Sequence, residues 1–176
     1  MERAGKVDLR VYQEEIAKRL ATRTAAEVES SRLAVACADA LWLVRLADAG
    51  EVIAMPAIAP VPLTKRWFLG LANIRGSLYG IVDLAAFLGQ EEAPPHAAGG
   101  TSRVILFGPR VGELRAGIVV PRVLGLSSLA ALAPAAAPPD APAWYGPRWI
   151  DADGAAWQEI DLVALARDPA FLQVAP

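Results

Sequence analysis

Trp67-Phe-Leu-Gly-Leu-Ala-Asn-Ile-Arg-Gly-Ser-Leu-Tyr-Gly-Ile-Val-Asp83-Leu84 holds two apolar runs around one charged reversal in fewer than twenty residues. Leu69, Leu71 and Asn73 alternate with Gly70, Ala72 and Ile74, which predicts a strand with one face buried. Leu78 to Val82 is nearly all apolar and predicts a second strand. Gly76 supplies the residue that tolerates positive φ where the chain must turn, and Ser77 is placed to bond the turn backbone. Arg75, just before that glycine, is presented to solvent on this reading.

Outward from this hairpin the chain is rich in β-periodicity. Leu33, Val35 and Cys37, then Trp42, Val44 and Leu46, alternate with smaller or polar residues around a reversal at Asp39-Ala40, the pattern of a β-hairpin. Pro56, Pro60 and Pro62 force an extended path after Glu51-Val-Ile-Ala-Met55, and Thr64 to Phe68 reads as one helical turn. Asp83 caps a short helix that Gly89 stops. Residues 90–100 are a loop by composition and divide the chain into two similar halves. Strands follow at 102–107 and 114–120, with a third at 123–126. The Ala- and Pro-rich stretch 130–147 reads as a surface excursion. Trp149-Ile-Asp151 and Trp157-Gln-Glu-Ile160 flank a turn at 152–154, and a final helix capped by Asp161 returns Leu162, Leu165 and Phe171 to the core. Many short strands, tight turns and few helices indicate small β-barrels.

At the N-terminus, Leu9, Tyr12, Ile16 and Leu20 recur at helical spacing with Glu14, Glu15, Lys18 and Arg19 between them. This predicts an amphipathic helix over 9–26 that either lies on its own domain or docks on a partner.

Composition narrows function. The 176 residues can bury one real core, and no apolar run reaches the roughly 18 residues of a membrane span. Residues 1–8 carry charges of both signs without an apolar segment, so the expected location is the cytoplasm. A net charge of −2 and a pI of about 5.5 give no electrostatic reason to expect nucleic acid or an anionic membrane surface. The single cysteine, Cys37, reads as a core thiol.

Enzymatic chemistry is hard to assemble. His96, the one histidine, lies in Pro-Pro-His-Ala-Ala with no carboxylate fixed beside it. No phosphate loop, dinucleotide fingerprint or zinc-protease motif occurs. Asp151-Ala-Asp153-Gly154 lacks the later ligands of a calcium loop and reads as an Asp-Gly turn. The expectation is a non-enzyme with no catalytic residues, no cofactor and no metal, whose partner is a protein.

Gly70, Asn73, Arg75-Gly76 and Asp83, with aliphatic residues at 74, 78, 81, 82 and 84, resemble the signature of CheW-like domains, the coupling proteins of bacterial chemosensory arrays. Arg-Gly-Ser-Leu-Tyr79 and Phe87-Leu88-Gly89 are most similar to the branch that serves twitching motility by type IV pili. The resemblance implies a mainly β fold of two five-stranded, SH3-like pseudo-barrels packed together. It covers about residues 31 to 168, leaving 1–30 as a helical extension before a domain of two interleaved barrel subdomains at 31–176.

The function implied is a two-component signalling scaffold that couples a methyl-accepting chemoreceptor tip to the regulatory domain of a CheA-type histidine kinase, with no direct membrane insertion. A flagellar chemotaxis coupler is the alternative, and a small barrel that binds a ligand is a more distant one. Interaction residues implied by the resemblance are Glu51 and Val52 on the kinase edge of the first barrel, Asn73, Arg75 and Gly76 by the receptor groove, and Arg103 and Val104 on a second-barrel strand. Val120-Pro121 and Asp39-Ala40 depart from the family pattern, which bears on partner specificity.

Overall fold

The computed structural model describes residues 29–90 and 100–176. The helix read over 9–26 and the loop residue His96 lie outside the described residues. Eleven strands occur among the described residues: β1 (Ser31–Cys37), β2 (Ala40–Arg45), β3 (Ala49–Ala54), β4 (Phe68–Ile74), β5 (Ser77–Asp83), β6 (Arg103–Phe107), β7 (Ala116–Val120), β8 (Arg122–Ser128), β9 (Ala133–Ala135), β10 (Tyr145–Ile150) and β11 (Ala156–Ile160). They form a six-stranded sheet, β8-β1-β2-β11-β10-β9, and a five-stranded sheet, β3-β6-β7-β5-β4. Each sheet has one parallel pair, β2 with β11 and β5 with β7.

The architecture is the expected mainly β pair of sheets, with one strand more than predicted. That strand, β9, comes from the Ala/Pro-rich stretch read as an excursion. It survives with Pro134 inside it because it is a three-residue edge pairing only with β10, where a missing N–H breaks no central ladder. Trp144, at the end of the same stretch, is 5% exposed and belongs to the core. The loop at 90–100 does not separate two halves. It falls between β5 and β6 of one sheet, because the chain builds β1 and β2, leaves for all of β3–β7, and returns for β8–β11.

Apolar runs without alternation are explained by burial on both faces. In the five-stranded sheet, Ala72, Ile81, Val104, Leu106 and Val119 form an inner cluster of their own. Their neighbours Val82, Ile105, Phe107, Ile118 and Val120 join Leu33, Val35, Trp42, Val44 and Ile160 in the larger core. Three short helices close that core: α1 (Leu84–Phe87), α2 (Leu162–Leu165) and α3 (Pro169–Leu172), whose Asp83, Asp161 and Asp168 side chains each accept a backbone N–H of the first turn. The single final helix of the sequence reading is therefore two, with Asp168-Pro169 starting the second. Thr64 to Phe68 is a turn closed by the Phe68 N–H to the Lys65 carbonyl, not a helical turn. The first hairpin turns at Ala38-Asp39, both at positive φ, one residue earlier than read.

In β4 the buried face is the opposite of what Leu71 suggested. Gly70 and Ala72 point inward, and Leu71 is 37% exposed. Trp42 is 4% exposed, donates its Nε1–H to the Cys37 carbonyl at 3.0 Å, and meets Tyr145 edge-on at 5.4 Å between centroids. Trp42→Ala is expected to lower stability by about 3–5 kcal/mol, whereas Leu71→Ala should cost about 1–2 kcal/mol because 37% of its surface stays in water. Urea unfolding of both variants checks this, and equal losses would return Leu71 to the core.

Candidate functional site

Arg75 and Gly76 form the two-residue connection of the β4–β5 hairpin, at φ 52° and 83°, which is the positive-φ geometry that matches strand twist. Ile74 pairs with Ser77 across it. The side chain that locks the turn is Asn73, whose Oδ1 accepts the Gly76 N–H at 2.9 Å, rather than Ser77. Arg75 is thus held at the tip by a rigid turn with its side chain 79% exposed. Its Nη2 donates to Glu51 Oε1 at 2.7 Å.

That bond joins strands at opposite edges of the sheet, since β3 and β4 are its first and last members. The sheet must therefore curl until its edges meet. A second contact closes it: Ala59, beyond β3, exchanges both backbone hydrogen bonds with Leu71 of β4, at 2.8 and 2.9 Å. Gly70 makes this approach possible, as a Cβ there would lie 2.2 Å from the Ala59 carbonyl oxygen.

Glu51, Asn73, Arg75 and Gly76 are therefore brought to one surface, and Val52, 38% exposed, adjoins them. The assignment of Glu51-Val52 and Arg103-Val104 to different barrels does not hold, because β3 pairs directly with β6, Val52 opposite Ile105 and Ala54 opposite Arg103. Val104 has no exposed surface and sits in the inner cluster, so it cannot reach a partner. Arg103 folds back on its own chain, its Nη1 donating to the Gly100, Thr101 and Ser102 carbonyls at 3.0, 3.3 and 2.9 Å.

An exposed ion pair such as Arg75–Glu51 contributes about 0–1 kcal/mol. It orients two charges more than it stabilises the fold, and the guanidinium keeps further donors for a carboxylate or carbonyl from outside.

Sequence reasoning missed an ionic network that is buried at Arg32, Asp48 and Glu159. Arg32 and Arg45 are directly opposite on β1 and β2, an arrangement that repels unless an acid lies between them. Glu159, from the adjoining β11, is that acid: its Oε2 lies 3.1 Å from Arg32 Nε and accepts the Trp149 Nε1–H at 3.3 Å, while Oε1 lies 3.5 Å from Arg45 Nη2. Arg45 and Arg110 also flank Asp48, at 3.5 and 3.6 Å, and Arg110 pairs with Glu29. Burial pushes the Asp48 carboxyl above its ordinary value, only partly offset by Arg45 and Arg110. The signal available in the sequence was an arginine at one end of each of two apolar strands and a glutamate inside a third. Asp48 lies three residues before Glu51, so the network ties the start of β3 to the six-stranded sheet.

The CheW-like domain family model matches residues 32–170. The chain belongs to the CheW-like family. This CheW-like chain is 35% identical over 81 residues to Protein PilI of Pseudomonas aeruginosa, a match that covers 46% of this chain and 43% of that protein. It therefore spans less than half the length of that curated relative. The fold is similar to that of the scaffolding protein TtCheW from Thermoanaerobacter tengcongensis, with a TM-score of 0.60, 20% identity, and coverage of 75% of this chain and 88% of that one. Among the described residues no helix is long and apolar enough to cross a membrane.

Proposed function

We propose that this CheW-like chain is a non-enzymatic cytoplasmic adaptor of a chemosensory pathway that controls type IV pili. It joins the signalling tip of a methyl-accepting chemoreceptor to the regulatory domain of a CheA-type histidine kinase, and is associated with the membrane only through that receptor. The family match over most of the chain and the partial match to PilI support this reading. The observation that carries it is the rigid Asn73-to-Gly76 turn, which presents Arg75 beside Glu51 on a surface where neither charge is needed for stability. Val52 extends that surface, whereas Arg103, opposite Ala54 at the far end of β3, holds the loop at 100–102.

Arg75→Glu is expected to weaken association with the partner that uses this turn at least tenfold, since a forked donor becomes a like charge against partner carboxylates. Stability should change by less than about 1 kcal/mol. Arg75→Lys keeps the charge without the planar fork and should give an intermediate loss. Titrating both variants against a receptor signalling fragment and, separately, a kinase regulatory domain identifies the partner. Combining Arg75→Glu with Glu51→Arg restores the internal pair; recovery of binding would show that the pair acts only within the chain. Unchanged affinity for both partners with Arg75→Glu would remove the site. Deleting the gene should abolish twitching and spare swimming, and the reverse would make the chain a flagellar coupler.

A further inference from the structure

Asp48 is 1% exposed, and neither of its carboxylate oxygens accepts a hydrogen bond among the described residues. A carboxylate in that state has lost its water and gained no donor in exchange, which is costly. Two guanidinium groups lie just out of reach. Arg45 Nη1 is 3.5 Å from Oδ2 and Arg110 Nε is 3.6 Å from Oδ1, both longer than a good hydrogen bond. Each arginine is held back by another carboxylate: Arg45 by Glu159, and Arg110 by Glu29, to which its Nη1 donates.

The two restraints are unequal. Glu159 is buried and fixed in addition by Arg32 and Trp149, so Arg45 stays committed to it. Glu29 and Arg110 are each about half exposed, so solvent screens their pair and it breaks at little cost. Glu29 and Ser30 have helical backbone and lead straight into β1, while Arg110 rides on the 3-10 turn Pro109–Val111 between β6 and β7. Gly108, at the start of that turn, donates its N–H to the Asp48 carbonyl at 2.8 Å. The turn is thus already seated against Asp48, and a shift of about 0.7 Å brings the Arg110 guanidinium to hydrogen-bond length from the Asp48 carboxylate.

We propose that Arg110 is a two-position latch, paired with Glu29 in this state and forked onto Asp48 when a cationic side chain of a partner takes Glu29. The forked pair gains from charge-assisted bonds in a buried site. Moving the guanidinium inward also costs it hydration, so the two positions lie close in free energy and a modest input at Glu29 decides between them. The effect reaches β3. Asp48 immediately precedes that strand, and the second position ties the Pro109–Val111 turn to the start of the strand that carries Glu51. This inference concerns contacts within the chain and stands or falls independently of the adaptor reading.

An NMR pH titration of the Asp48 carboxyl carbon in the full, isotopically labelled chain reads the latch, since a forked guanidinium favours the ionised form. Glu29→Ala frees Arg110 and should lower the Asp48 midpoint by at least about 0.5 pH unit, roughly threefold in proton affinity. The Glu29 charge also acts on Asp48 through space, so the same substitution is made beside Arg110→Gln, where no latch exists and the midpoint should move less. Amide exchange of Gly108 should slow at least about twofold in Glu29→Ala and stay unchanged when Arg110→Gln is present as well. An Asp48 shift of equal size in the two backgrounds, or no shift, would overturn the proposal by reducing Glu29 to a distant charge. Unchanged Gly108 exchange in Glu29→Ala would overturn the link to β3.

Discussion

Glu159→Ala is expected to lower stability by about 3–5 kcal/mol, because it strands the Arg32 guanidinium, 6% exposed, inside the protein without its anion. The loss includes more than one ion pair. Arg32 and Arg45 face each other across β1 and β2, so removing the shared carboxylate turns a bridged pair into a repelling one, and the Trp149 Nε1–H loses its acceptor. Glu159→Gln keeps an acceptor for Trp149 but no charge, and should fall between the two. Replacing Arg32 by Met and Glu159 by Leu together should recover most of the loss, since apolar groups of similar volume need no compensation in a buried site. Denaturant unfolding of the three variants separates these cases. A single-variant loss below about 1 kcal/mol would mean that water reaches Arg32 and screens it.

Gly70→Ala is the second large effect, and it tests how the five-stranded sheet closes. At φ 132° the position suits glycine, and the added methyl would meet backbone, the Ala59 carbonyl oxygen at 2.2 Å and Pro60 Cα at 2.9 Å. Backbone cannot rotate away as a side-chain end would. Relief requires the 59–60 segment to move off β4, which breaks both Ala59–Leu71 hydrogen bonds. Two lost hydrogen bonds at about 1 kcal/mol each, with local strain of about 1–3 kcal/mol, give an expected loss of about 3–5 kcal/mol. Hydrogen exchange should show the Ala59 and Leu71 amides losing protection before the rest of β4. If stability stays within about 0.5 kcal/mol and those amides remain protected, closure does not depend on this approach.

The two effects bracket the Arg75–Glu51 surface from either side. Glu159, Arg45 and Asp48 hold the start of β3, while Gly70 lets β4 reach the segment beyond it. Either change should therefore displace Glu51 relative to Arg75 even though neither residue is touched.

Local chemistry made much of this protein legible in one dimension. Alternation and turn residues placed the hairpin of β4 and β5, Asp83 and Asp161 marked their helix starts by their ability to accept first-turn N–H groups, and the Asn73-to-Gly76 motif with its spacing pointed to the family. These depend on residues within a few positions of one another. What only the tertiary structure decided depends on partners far apart in the chain. The sequence puts Leu71 on the buried face and the structure puts it on the other, because alternation gives the period and not the sign: which of two interleaved sets is buried is set by what packs on each side. Proline in β9 was tolerated because the strand is an edge, a property of sheet order. Glu51 and Arg75, read as serving the kinase edge and the receptor groove, are joined because the sheet curls and its edges meet. Arg32, Arg45 and Glu159 form one network because β11 lies parallel beside β2, and no local pattern in a sequence specifies which strands will be neighbours.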